Sequence, residues 1–473
     1  MLFNSFLFFV IFPFIFAIYW VIPCKWHPFR KWWLILVSYL LYMNWNPAYT
    51  LILLGVTVVT YLCARAFETV KNKKAIAVLG GAISLLPLVF FKYFNFINEQ
   101  VYTLLSLMGL RYELYGLNWA IPVGISFYTF QALGYMLDVY YGKIQSERNF
   151  TDYVLFCSFF PQTASGPISK YSELMPQLKK SHPFNYHQGV AGLKFLLWGV
   201  FLKCVVADRL GLYVDVVYGN YEYFSGLNCF IASVFYTIQI YGDFAGYSLM
   251  AVGIGKTLGF DLINNFERPY LADSVTNFWR RWHISLTRWL TAYVYIPLGG
   301  SRCSKVRQYW NIMVTFLVSG LWHGANWTFV VWGILHGFFQ IVEKMLGLDP
   351  KGKYGNTPAW MKPFRIIATF FFVNFAWIFF RMPSFSDAYG VIDQILSNES
   401  NQPFMEKATN TDQLFSMLAI FILLAVDFRN EYLKESLSWL NHKGVRFAFY
   451  VAIFLLVLSC GVLDASSFIY VSF

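Results

Sequence analysis

Charge is what this sequence has least of. Asp, Glu, Lys and Arg make up 13% of the 473 residues, about half the roughly 25% of an ordinary soluble domain. With 58% hydrophobic and 21% aromatic residues and a mean hydropathy of +0.49, that scarcity excludes a water-solvated surface and points to an all-α polytopic membrane protein. Cysteine is sparse and scattered. Cys24, Cys63, Cys157, Cys204, Cys229, Cys303 and Cys460 form no C-x-x-C pair and have no histidine at ligand spacing, so neither a disulfide framework nor a metal site is expected. Basic residues form no single block. The net charge of +11 is spread over short loops, which fits cytoplasmic loops and contact with anionic membrane lipids and excludes a nucleic-acid interface. The first segment lacks a basic leader and a small-residue cleavage site, so Met1 to Pro23 is expected to be a retained membrane segment.

What is present is a series of apolar runs, and the run from Tyr309 to Gly347 organises the rest. Between Trp310 and Lys344 its only charge is Glu343, and near its middle lies Ser319-Gly320-Leu321-Trp322-His323-Gly324-Ala325-Asn326-Trp327. An unbroken helix from Arg307 to Lys344 would be roughly 55 Å long, more than the ~40–45 Å of a whole bilayer. The rod is therefore expected to tilt or to break, and Gly320, Gly324 and Asn326 around His323 are its weakest links. An imidazole at that depth has no bulk water to solvate its charged form, so a neutral ring with one proton-accepting nitrogen is expected. The alternative is a packing histidine bonded to a neighbouring helix. His336, thirteen residues further on, falls on roughly the opposite side of an unbroken helix and reads as structural.

Taken in order, apolar segments occur near Trp32 to Tyr42, Tyr49 to Ala66, Ala75 to Phe96 and Ile121 to Tyr141, with a mixed stretch at 98–118 that suits a short peripheral helix. Phe159-Phe160-Pro161-Gln162-Thr163-Ala164-Ser165-Gly166-Pro167-Ile168 reads as a re-entrant or irregular segment, tolerated at membrane depth only inside protein or a cavity. Lys170 to His187 reads as a loop. Spans follow at Val190 to Val206 and Leu227 to Leu258, then near Phe364 to Phe380, Leu414 to Val426 and Val445 to Leu463, with a polar insertion at 382–412. The count is about eleven membrane segments in one integral membrane domain covering 1–473. A buried Asp243 needs a partner, and serves as a hydrogen-bond hub or a substrate contact.

Phe278-Trp279-Arg280-Arg281-Trp282-His283-Ile284-Ser285-Leu286-Thr287-Arg288-Trp289-Leu290 places Phe278, Trp282, Leu286 and Trp289 on one side and Arg281, Ser285 and Arg288 on another. One helix lying in the cytoplasmic interface is expected. Arg280 and Arg281 suit the phosphates of a cytoplasmic donor or lipid headgroups.

This stretch, with Tyr295-Ile296-Pro297-Leu298-Gly299-Gly300 and Gly320-Leu321-Trp322-His323-Gly324, resembles the signature of the membrane-bound O-acyltransferase (MBOAT) superfamily and its bacterial alginate O-acetyltransferase branch. Ser126 to Gln131 with Asp138-Val139-Tyr140, Phe159 to Gln162 with Gly166-Pro167-Ile168, Asp243-Phe244-Ala245-Gly246-Tyr247-Ser248 and the terminal Phe468-Ile469-Tyr470 fit in the same order. The chain departs at Leu249, where the pattern has an acidic residue. The resemblance implies a tunnelled core, with His323 as the essential histidine and His283 as the second. It also implies substrate contacts around Trp282, Trp322, Asp243, Tyr247, Arg280 and Arg281, and no bound cofactor. It further implies a multi-pass protein of the bacterial inner membrane, acetyl-CoA or another acyl thioester as cytoplasmic donor, and a periplasmic SGNH-type transferase as partner. The expected reaction moves an acyl group, expected to be acetyl, to hydroxyls of an extracytoplasmic polysaccharide. Alternatives are D-alanyl transfer from a carrier protein to teichoic acid and a transporter; the absence of an internal repeat speaks against the transporter.

Overall fold

The computed structural model describes residues 3–113, 116–117, 119–350, 352, 358–397, 410–433 and 442–462. They are helical, with no β-strand among them. The terminal motif Phe468-Ile469-Tyr470 lies outside the described residues. Contacts group the chain into two compact units, one of Met1–Leu193 with Ala251–Ile263, the other of Lys194–Met250 with Asn264–Ile469.

The first unit holds α1 (Phe6–Val21), α2 (His27–Met43), α3 (Tyr49–Ala66), α4 (Lys73–Leu107), α5 (Ile125–Tyr140), α6 (Phe150–Ser158), α7 (Phe160–Thr163), α8 (Tyr171–Leu178) and the start of α9 (Tyr186–Val200). Side chains at the helix starts hold their orphan amides: Ser5 accepts from the Phe8 amide and Asn72 from the Ala75 amide. The separate peripheral helix expected at 98–118 does not form. α4 runs on for 35 residues and ends where Gly109 takes φ +73° and the Leu110 amide bonds back to the Leu105 carbonyl. Within the expected loop of 170–187, Leu174, Met175 and Leu178 bury one side of α8. The irregular segment is as expected: α6 ends at Ser158, α7 is a single turn, and Phe159 to Ser165 are buried except Ala164. Its backbone is satisfied by neighbours, the Phe160 amide by Ser38 Oγ at 3.1 Å and the Phe156 carbonyl by Gln131 Nε2 at 2.6 Å. Gly124 starts α5 at φ +72°, where a Cβ would lie 1.9 Å from the Thr163 carbonyl oxygen.

The second unit carries the rest of α9, a π-helical turn at Phe201–Ala207, α10 (Asp208–Tyr218) and most of α11 (Gly226–Thr257). After these come α12 (Val275–Arg281), α13 (Ile284–Leu290), a π-helical turn at Thr291–Tyr295, α14 (Lys305–His323), α15 (Trp327–Met345), α16 (Lys362–Arg381), α17 (Phe385–Ser397), α18 (Asn410–Phe428), a π-helical turn at Arg429–Leu433 and α19 (Lys443–Cys460). The over-long rod breaks where the sequence is weakest. Gly324 to Asn326 are non-helical, and α14 and α15 fold back as a tightly packed hairpin. Their approach needs Gly320 and Gly333: a Cβ would lie 2.3 Å from the Phe329 carbonyl oxygen in one case and 2.5 Å from that of Phe316 in the other. The Asn326 side chain caps α15 by accepting from the Thr328 amide at 3.0 Å.

Among the described residues, Tyr49–Ala66, Lys73–Leu107, Tyr186–Tyr218, Lys362–Arg381 and Lys443–Cys460 are long and apolar enough to cross a membrane, and Phe6–Val21 with Cys24–Met43 forms one more candidate bent by 102°. That is fewer than the eleven expected, because several apolar runs become short or paired helices: α5 has 16 residues, and α6 and α7 have 9 and 4.

Candidate active site

The two histidines singled out in the sequence lie at two helix breaks of the second unit. His323 is the last residue of α14, where the helix stops at Gly324. His283 stands between α12 and α13, which corrects the expectation of one continuous interfacial helix: Trp282 is extended, and His283 takes the left-handed conformation at φ +43°. For a residue with a Cβ this conformation costs on the order of 1–3 kcal/mol, so its surroundings must impose it. Asn265 does so. Its carbonyl accepts the Ile284 amide at 3.0 Å and its side-chain oxygen accepts the Ser285 amide at 3.0 Å, holding the first donors of α13 in place of the missing turn. At the other end of α12, the Glu343 carboxylate accepts from the amides of Val275 and Thr276 and from the Thr276 hydroxyl, an anion at a helix N-terminus.

These breaks bring the two imidazoles to 6.4 Å between ring centroids. Both are buried, His283 at 0% and His323 at 2% exposure. The Trp322 ring lies 5.6 Å from His283 and 4.9 Å from His323; Trp332 and Phe380 meet His323 edge-on at 4.9 and 5.2 Å, and Phe244 meets His283 at 4.6 Å. Aromatic walls lower the local dielectric and exclude water.

The break also changes the place of His336. Because α15 folds back on α14, its ring packs 4.9 Å from Trp332, the same indole that His323 touches, not on the far side of a continuous rod. Trp279 Nε1 donates to His336 Nδ1 at 3.2 Å. A neutral His336 therefore carries its proton on Nε2, an atom buried without a hydrogen-bond partner. The Ser319 hydroxyl, one turn before His323, is in the same state.

The remaining expected contacts divide. Trp322 belongs to the shell, whereas Trp282 lies in an aromatic stack with Phe278, Phe266 and Trp377 at 5.5, 5.0 and 5.1 Å. Asp243, beside Phe244 on α11, is held by Lys203 at 2.6 Å, and the same ammonium binds Asp208 at 2.6 Å and lies 5.7 Å from the Tyr247 ring. All are buried. These contacts make Asp243 part of a hydrogen-bonded ion cluster, the hub of the two expected roles, with Tyr247 beside it. Arg281 is tied to Glu431 at 3.0 Å. Arg280 is exposed and lines a cavity of about 260 Å3 with Thr287, Thr291, Thr315, Ser319 and Lys344. The cavity reaches Ser319, one turn before His323, whose ring lies among Trp322, Trp332 and Phe380. Asn265, Lys203, Asp208 and Trp332 were not anticipated. Lys203 alone carried a signal, as a lysine inside an apolar run.

Among the described residues no group of histidine, cysteine or carboxylate side chains is arranged to hold a metal. A family profile described as the membrane-bound O-acyltransferase family matches residues 144–386. The chain is 32% identical to a probable alginate O-acetylase of Azotobacter vinelandii over 90% of this chain and 84% of the other, and 32% identical to a peptidoglycan O-acetyltransferase of Helicobacter pylori over 87% and 86%. A more distant likeness, 25% over 54% of this chain and 68% of the other, joins it to a teichoic acid D-alanyltransferase of Bacillus subtilis. Two buried histidines delivered by two broken helices, a profile match across half the chain and relatives over nearly all of it lead to one assignment: this protein belongs to the membrane-bound O-acyltransferase family and is a multi-pass O-acyltransferase.

Proposed function

We propose that the protein transfers an acetyl group from a cytoplasmic thioester, acetyl-CoA or a similar donor, toward hydroxyls of a cell-envelope polysaccharide. In this reading it sits in the bacterial inner membrane and hands the group to a periplasmic SGNH-type transferase. The observation that carries the proposal is the pairing of His283 and His323 at 6.4 Å inside an aromatic shell. A thioester is already activated, so the chemistry needs a base for the hydroxyl proton and protection from hydrolysis. His323 takes the acceptor's proton on a ring nitrogen as the hydroxyl oxygen bonds to the thioester carbonyl carbon. The carbon–sulfur bond then breaks and the leaving thiolate takes the proton back, leaving an ester and a thiol. His283 orients donor or acceptor beside it. Arg280 and Lys344, on the wall of the 260 Å3 cavity, suit the phosphates of a nucleotide-bearing donor, while its threonine and serine hydroxyls suit the amides of the donor's arm.

The O-acetyltransferase relatives share more of this chain at higher identity than the D-alanyltransferase does, which favours acetyl transfer. The test is purified protein supplied in parallel with labelled acetyl-CoA and with a D-alanyl-charged carrier protein. Transfer from acetyl-CoA that disappears in His323→Ala is expected; full transfer by that variant overturns the catalytic role, and transfer from the carrier alone overturns the acetyl reading.

A further inference from the structure

A second cavity in the same unit, about 660 Å3, shares no lining residue with the histidine site. Three helical segments line it, and each contributes a cation at one level and an uncharged side chain one turn deeper. On α9, Lys194 precedes Trp198. On α19, Arg446 precedes Tyr450. On α18 and its π-helical extension, which run the opposite way, Arg429 follows Ala425. Each pair is four residues apart and so shares a helix face. Among the described residues no carboxylate lines the cavity. Lys194 Nζ sits 5.3 Å from the Tyr450 ring, so this ammonium reaches from α9 across the cavity to α19.

A ring of positive charge above an apolar floor matches an anionic amphiphile. The site belongs to spans, since Tyr186–Tyr218 and Lys443–Cys460 are each apolar enough to cross a membrane. The cationic end of these helices carries Lys443 and Arg446 together with Lys194 and Arg429, so it faces the cytoplasm. Next to this level Phe447 is 72% exposed, and along α18 Phe421, one turn from the lining residue Ala425, is 68% exposed, so the surface beside the cavity is apolar. We propose that the cavity holds one anionic phospholipid of the cytoplasmic leaflet, its phosphate among Lys194, Arg429 and Arg446 and its chains against Trp198, Ala425 and Tyr450. Basic pockets between membrane helices on this side are suited to acidic headgroups, and a zwitterionic lipid brings its own ammonium to the same cations.

The full chain, purified in mild detergent, is titrated with phosphatidylglycerol and with phosphatidylcholine of identical chains, and bound lipid is counted by native mass spectrometry. Phosphatidylglycerol is expected to bind at least fivefold more tightly. Lys194→Gln and Arg446→Gln should each weaken it about fivefold without changing phosphatidylcholine, and Arg446→Lys should stay near wild type. Equal binding of the two lipids by the wild-type protein, or undiminished phosphatidylglycerol binding by both Gln variants, overturns the proposal. Glycerol 3-phosphate is the remaining arm: displacement of bound lipid by it at comparable concentration would mean a soluble phosphate site and overturns the lipid occupant.

Discussion

The protein breaks its helices in two regions, and the two breaks differ in what they bury. In the first unit the break between α6 and α7 buries amides and hydroxyls: Gln131, Gln162, Thr163 and Ser38, bonded to carbonyls or amides of neighbouring turns. In the second unit the breaks after Trp282 and after His323 bury imidazoles, set among indoles and phenyl rings. Both solve the same problem, since backbone that leaves the helix at membrane depth must find partners inside the protein. Only the second leaves titratable groups at the point where the chain turns. The first break is therefore scaffold, and the second is the place of the proposed chemistry.

The comparison is broken most directly by exchanging its central residues. His323→Ala should reduce acyl transfer by about 10²–10⁴-fold, the range for losing a general base, while the protein still elutes as a folded species. Gln162→Ala in the first break should leave the rate per folded molecule nearly intact and lower thermal stability. A rate loss of the same size in both would erase the distinction between the two regions.

Next in size is the ion cluster behind Phe244. Lys203 holds two buried carboxylates, Asp208 and Asp243, each at 2.6 Å. Lys203→Met removes their shared cation, and breaking such a pair costs about 3–5 kcal/mol. The expected result, read by tryptophan fluorescence on heating in detergent, is a large drop in unfolding temperature. Lys203→Met with Asp243→Asn and Asp208→Asn together should recover much of it, as removing all the charge restores neutrality to an apolar site. A failure to recover assigns the cluster to function.

The glycine joints make a matched pair. Gly124→Ala and Gly333→Ala each drive a methyl group into backbone, toward the Thr163 carbonyl in the first unit and the Phe316 carbonyl in the second. Overpacking costs about 1–3 kcal/mol, and Gly124 adds the penalty of a positive φ. Both variants should melt earlier. Gly333→Ala should also lower the rate at saturating donor, because it spreads the hairpin that sets His323 against Trp332.

What was legible in the chain follows the same division. The break in the long rod could be read because its length exceeds the bilayer and Gly320, Gly324 and Asn326 sit together; the irregular segment could be read because Pro161 and Pro167, with small polar residues between them, interrupt an apolar run. The kink at His283 could not. Phe278, Trp282, Leu286 and Trp289 keep helical spacing across it, and the cause lies 18 residues upstream in Asn265, a contact that no local pattern reports. Lys203 with Asp208 and Asp243 was hidden for a related reason: on a long span, charges five residues apart look like a helix end until a third group from another helix closes the cluster. Position in the sequence showed which residues are expensive to bury; only the fold showed which of them satisfy one another.

The smallest effect expected is the one that tests whether Arg281 is a fastener, as its geometry indicates, or a ligand for the donor. Glu431 lies beyond the end of α18 and receives Arg268 at 2.6 Å and Arg281 at 3.0 Å. Burial by itself pushes its carboxyl up, but the hydrogen bonds and charges of Arg281 and Arg268 outweigh this and hold it below the ordinary glutamate value. A depressed folded-state value means that the pairing stabilises fully above the unfolded-state value of about 4.3 and that this contribution is lost as pH falls through the folded-state value. Glu431→Gln should thus melt below wild type by an amount equivalent to about 1 kcal/mol from neutral pH down to about pH 5. The gap should close as the solution is made more acid. With the donor at saturation the variant should transfer as fast as wild type, since its loss is one of fastening. A gap that persists unchanged as the solution is made acid, or a raised KM for the donor with no change in melting, would move Arg281 from the scaffold to the donor site and blur the line between the two regions.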